Sequence, residues 1–219
     1  TLEELNNWYL PVSPGENLAK RYQEAVQKNQ ALYTQWQQAY KKPVDESPQG
    51  KEAAGAFPGP PMPEDPYENL LVQGNAKVKR EELLPKAVWE TSLDYWRTVG
   101  EPVAEMLHGI AASGLTKSRY PVDTRPGPGT ILDHLAPVRN LARVLSLGAW
   151  VAAVEGRPAD AVTAILDMAP LGNSLADEPI LISQLVRVAV HGIACAAVET
   201  VMNRTTLPES ELLRLQEGL

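Results

Sequence analysis

Apolar residues along this chain recur at steps of three and four, the spacing that puts side chains on one face of a helix. From Glu16 to about Tyr40 there is neither Pro nor Gly, and Leu18, Tyr22, Ala25, Val26, Leu32, Tyr33, Trp36 and Tyr40 follow that spacing. The stretch is rich in Gln, so the pattern predicts a helix with one solvated face. Upstream, Leu2, Leu5 and Trp8 predict a short amphipathic helix, broken by Pro11 to Gly15. Leu84, Val88, Leu93, Tyr95, Trp96 and Val99 predict a helix over 80–98, with Pro85 in its first turn. A shorter one is expected at Glu68 to Gln73. Gly100 is expected to stop the 80–98 helix and Pro102 to open another, which Gly114 closes after Val103, Met106, Leu107, Ile110 and Ala111.

The pattern is strongest in the C-terminal part. Val138, Leu141, Ala142, Leu145, Ala149 and Ala152 predict a helix ending at Glu155, with Gly156 as its stop and Pro158 as the first turn of the next. So short a turn makes an antiparallel helix hairpin, whose second arm carries Ala161, Val162, Ile165 and Leu166 and ends or kinks at Pro170 and Gly172. Asp177 and Pro179 are expected to start a long helix to about Asn203, and Pro208 another. Isolated arginine, histidine and glutamate residues interrupt the apolar run Ile180–Met202, which reads as a buried core helix rather than a membrane span. No run alternates with period two. The fold class is therefore all-α: antiparallel helix hairpins stacked in a bundle or a short α-solenoid-like array, about 40 residues from pair to pair. Residues 1–219 read as a single helical domain. Seven prolines between Pro43 and Pro66 mark a loop or partly disordered excursion, since each removes a backbone donor.

Composition narrows the function classes. A formal net charge of -7 argues against a nucleic-acid surface, which needs clustered cations. The single cysteine, Cys195, excludes an intrachain disulfide framework, and its neighbours Ile193, Ala194, Ala196 and Val198 mark it as a packed thiol. His108, His134 and His191 form no His-x-x-x-His pair, so no metal site and no cofactor is expected. The loop Arg125 to Thr130 lacks the Gly-Lys-Ser/Thr ending of a phosphate cradle, no nucleophile elbow is present, and no catalytic residue is assigned.

One constellation bears on binding. Gln184, Arg187, His191 and Cys195 are spaced three, four and four, one stripe on an otherwise apolar helix. Arg187, if buried, requires an acid such as Asp133, Asp167 or Asp177, a row of carbonyls, or an opening to solvent. Arg139 and Arg143 form a second stripe on the preceding long helix. With His134, these residues could line a basic groove for an anionic ligand or peptide. The competing account is that Gln184, Arg187 and His191 tie helices together while Arg139 and Arg143 are solvated.

The segment order resembles that of uncharacterised, membrane-anchored all-α proteins of planctomycete-like bacteria, for which no activity is established. The resemblance runs over most of the chain. It is carried by Leu2-Glu3-Glu4-Leu5-Asn6-Asn7-Trp8-Tyr9 with Pro14-Gly15-Glu16-Asn17, by Arg119-Tyr120-Pro121, by His134-Leu135 with Val138-Arg139-Asn140-Leu141-Ala142-Arg143, and by Asp177 through Arg187. Over 138–176 the hairpin is also similar to a tetratricopeptide-repeat turn, without that repeat's Trp, Gly and Tyr positions. The first resemblance implies a domain outside the cytoplasmic membrane, in the cell envelope, tethered by an N-terminal hydrophobic segment ahead of Thr1; both chain ends read as cut. The expected role is a non-enzymatic protein- or peptide-interaction module. The alternative is a small-ligand-binding or hydrolase-like protein using His134, Arg139, Arg143, Gln184, Arg187 and His191.

Overall fold

A computed structural model of the chain describes residues 12–40 and 86–219, and among these every regular element is helical. The expected helices near Leu2–Trp8 and Glu68–Gln73, the Pro43–Pro66 excursion and the beginning of the 80–98 helix lie outside the described residues. Helix α1 spans Leu18–Tyr40 and α2 spans Lys86–Tyr95, followed by a π-turn at Trp96–Gly100 and by α3 at Glu101–Ala111. Then come α4 (Leu135–Val154), α5 (Pro158–Leu166), α6 (Met168–Asn173), α7 (Leu181–Met202) and α8 (Glu209–Gly218).

The start of α1 is fixed by Asn17. Its Oδ1 accepts the Ala19 amide at 3.1 Å, a helix N-cap, and also the Arg119 amide at 2.9 Å. Its Nδ2 donates to the Arg119 carbonyl at 2.9 Å. One asparagine therefore caps α1 and anchors the Arg119–Pro121 loop. Leu18, Ala19, Tyr22 and Ala25 face inward, and the aromatic rings of Trp36 and Tyr95 meet edge to face, 5.4 Å apart.

The expected break at Gly100 does not occur. Gly100 has helical angles (φ -67, ψ -51), and α2 runs through the π-turn into α3, with the Glu101 amide bonding the Trp96 carbonyl five residues back. The reason is steric. A Cβ on Gly100 would meet the Trp96 ring, and one on Gly148 of α4 would lie 2.8 Å from Trp96 Cζ3. Glycine stands at both places to admit an indole between two helices. Pro102 sits at the N-terminal end of α3 and costs no break there.

Helix α4 is apolar apart from Arg139, Asn140, Arg143 and Ser146, and other helices enclose most of its circumference. Val138, Leu141, Ala142, Val144, Leu145, Leu147 and Ala149 are all fully buried. Helices α1 and α3 and the π-turn pack on α4 from the N-terminal half, and α5, α6 and α7 from the C-terminal half. In a solenoid each pair would touch only its sequence neighbours, so this is a bundle around a central helix. The α4–α5 hairpin has the expected chemistry: Gly156 at φ +72, where an L side chain would be strained, then Pro158 in the first turn. Helix α8 attaches to α5 through Leu215 and through Arg214 Nη2, which donates to Thr163 Oγ1 at 3.1 Å.

Candidate functional site

The segment Met168–Glu178 turns the chain from α5 into α7, and most of the residues singled out from sequence converge on it. Gln184 Nε2 reaches the carbonyls of Leu175 (2.9 Å), Ala176 (3.3 Å) and Glu178 (2.7 Å). Arg187 Nη2 donates to Asn173 Oδ1 at 3.0 Å; none of the three aspartates expected for it is its hydrogen-bond partner. An asparagine carbonyl suffices because Asn173 is exposed and the guanidinium is only half-buried. His191 packs against Gly172, where a Cβ would come within 3.1 Å of its Nε2, so glycine sets the close crossing of α6 and α7. Burial and the neighbouring Arg187 charge push the His191 imidazole below its ordinary pKa of 6.5.

His134 approaches the same turn from the start of α4. Its Nε2 lies 2.7 Å from Glu178 Oε1, with both side chains nine-tenths or more buried. The distance is that of an ion pair, yet the ring N–H is not aimed along it. Neither Glu178 oxygen has a geometrically sound hydrogen bond among the described residues. The Tyr120 ring stacks on the imidazole at 4.3 Å and 17°. Its hydroxyl lies 3.0 Å from Ser174 Oγ, and since Ser174 donates its only proton to the Leu171 carbonyl (2.7 Å), Tyr120 is the donor. Helical spacing does not pick out Glu178 or Tyr120 as site residues: Asp177 and Pro179 mark a helix start, and Glu178 is buried in the turn that Gln184 holds.

Arg139 and Arg143 do not join the hydrogen bonds of this turn. Arg139 is exposed on α4, and Arg143 makes a long 3.5 Å hydrogen bond to Asn140 Oδ1, one turn back. Of the six residues predicted to line a groove, four meet at 172–178 and two remain on α4.

A second acid–histidine pair lies elsewhere. His108 Nδ1, on the exposed side of α3, is 3.1 Å from Oδ2 of buried Asp167 between α5 and α6. Burial pushes the Asp167 carboxyl above its ordinary 3.8, opposed by His108 and, more weakly, by Arg214. The Tyr22 hydroxyl, buried without a hydrogen-bond partner among the described residues, is pushed up by its own burial and by the Asp167 charge. A raised carboxyl means that the folded chain holds this proton more tightly than the unfolded one. This group's contribution to stability is therefore full below pH 3.8 and is lost as pH rises through the raised value. Urea midpoints across the acid range should show that decline in the wild type and less of it in Asp167→Asn. Parallel profiles would mean that Asp167 is not its source.

Helix α7 departs most from expectation. It is not a buried core helix: only Ser183, Val190, Ala194, Ala197 and Val201 are buried, on the side facing α4 and α6. Its outer side leaves Leu181 75% exposed, Ile182 56%, Leu185 59%, Val188 67% and Met202 55%. Cys195, expected to be packed, belongs to this exposed side. By length and composition α7 is also long and apolar enough to cross a membrane.

The fold is thus an all-α bundle with a buried acid–histidine pair near an apolar helix whose outer side is exposed among the described residues. No group of three or more metal-ligating side chains occurs among the described residues. Comparison of the chain with known protein families, with curated proteins and with solved structures finds no match.

Proposed function

We propose that this chain is a non-enzymatic helical association module of the cell envelope, tethered by a hydrophobic segment ahead of Thr1, which offers the outer face of α7 to another polypeptide. The observation that carries the association reading is the exposure of five large apolar side chains along one side of one helix. Scattered surface leucines are ordinary, but a contiguous apolar strip marks a place where something docks. The polar contacts of α7 support this reading. Gln184, Arg187 and His191 lie on the flank of α7 beside that strip and are tied to residues 172–178, which holds α7 against the bundle with Leu181, Leu185 and Val188 left outward. A small-ligand role for His134, Arg139, Arg143, Gln184, Arg187 and His191 would need those polar groups free to face a ligand. Three of them are instead engaged with Asn173 and the 175–178 turn.

The test is a photo-crosslinking amino acid placed at Val188 in the full-length protein, in its own cells, with Glu209 on α8 as the control position. Covalent adducts with polypeptide are expected at 188 and not at 209. Equal labelling at both, or none at 188, removes the association reading. The envelope placement is checked separately, by fractionation of the full-length protein. Recovery in the cytosolic fraction would remove it while leaving the α7 reading intact.

A further inference from the structure

The exposed positions of α7 have an internal order. Leu181, Leu185, Val188, Gly192, Cys195, Glu199 and Met202 step by four and three alternately, and every one is exposed. Ile182, Ala189 and Ala196 flank that line at intervals of seven and are exposed as well. This is a heptad seam, the arrangement by which one helix packs knobs-into-holes along another. The buried positions Ser183, Val190, Ala194, Ala197 and Val201 occupy the other side, so among the described residues the seam is left open along the helix.

We infer that the occupant of this seam is the α7 of a second copy of the same chain, running antiparallel to the first. The inference rests on the association reading above and names its partner. Shape argues for a second copy. The N-terminal half of the seam is bulky (Leu181, Ile182, Leu185, Val188), and the following stretch is small (Ala189, Gly192, Cys195, Ala196). An antiparallel two-fold pairing lays each bulky half over the small stretch of its partner, so that large residues fill the space small ones leave. Such self-complementarity is what an isologous interface requires.

Charge sets the direction. Glu199 is the one ionisable carboxylate on the seam, so a parallel in-register pair would place two glutamates face to face at a desolvated position. The antiparallel pair sends them to opposite ends, more than a Debye length of about 8 Å apart. There each carboxylate reaches water while its stem covers apolar surface. Area sets the size class. A 22-residue helix is about 33 Å long, and a seam of that length covers on the order of 600 Å² per copy, at the lower bound for a specific stable pair. A pair of that size is expected to be weak, present or absent according to concentration.

The experiment is sedimentation equilibrium of the 219-residue chain from about 1 to 500 μM, a range chosen around micromolar affinity. The expected result is a monomer–dimer equilibrium that shifts at least tenfold towards monomer in Val188→Glu. That substitution sits on the exposed side and leaves the core untouched, so an unchanged helical circular dichroism spectrum shows that the variant is folded. Direction is read by oxidation. The wild type, with Cys195 alone, should form no interchain disulfide, whereas Leu185→Cys should link position 185 of one copy to Cys195 of the other, identified by peptide mapping. A wild-type Cys195–Cys195 link means parallel pairing and overturns the inference. A wild type monomeric at every concentration overturns it too, as does binding to phospholipid vesicles that Val188→Glu abolishes. In either of the last two cases, polypeptide adducts at position 188 in cells would leave the association reading standing with a different partner.

Discussion

Replacing His134 by alanine is expected to destabilise the fold by about 3–5 kcal/mol, the cost of leaving one member of a buried acid–histidine pair alone. Glu178 has almost no exposure, and without the imidazole its carboxylate would face the interior with no counterpart among the described residues. The Tyr120 ring would lose its stacking surface at the same time. For a domain of this size that is a fall in thermal midpoint on the order of 6–20 °C. The informative measurement is the double variant. His134→Leu combined with Glu178→Leu removes both polar groups and keeps apolar volume, so it should recover most of the loss. Calorimetry showing the double variant to be as unstable as the two single losses added together would mean that the pair is not an interacting unit.

The second large effect concerns the two glycines that face Trp96. A branched side chain at Gly148 would have to enter space held by the indole, which also lies against Gly100. Overpacking of a core costs about 1–3 kcal/mol, and Gly148→Val belongs at the top of that range because the ring is already close against Gly100 as well. Relief should come from the ring itself. In a Trp96→Leu background, adding Gly148→Val should cost less than about 1 kcal/mol, a non-additivity expected of two residues competing for one volume. Denaturant titrations of the four-member cycle measure it, and strict additivity would place the strain elsewhere.

How far the sequence foretold this structure depends on where each element takes its instructions. The α4–α5 hairpin was legible because its turn is local: Gly156 needs a positive φ and Pro158 presets the next helix. The Gly100–Pro102 break was misread for the opposite reason. The glycine there serves a ring from its own helix wedged against α4, and no local pattern announces such a contact. The length of α7 was legible, its start within a few residues, and its burial was not. A helix apolar on both its packed and its exposed side carries no record of which of the two is covered, so periodicity could not separate the face on α4 from the face left open. For the site, the stripe Gln184–Arg187–His191 followed from helical spacing, but its object did not. Polar groups that grip a turn and polar groups that receive a ligand look alike until the carbonyls of Leu175, Ala176 and Glu178 are in place.

The central position of α4 has a consequence for the order in which a newly made chain can acquire its shape. Residues 135–154 leave the ribosome before any of α5, α6 or α7, yet most of the α4 side chains buried in the bundle are apolar. A nascent chain ending anywhere short of Met202 therefore carries a bare flank that only its own unmade remainder can cover. Cover of that flank is complete only when α7 arrives, and in that interval the chain depends on chaperones or on speed.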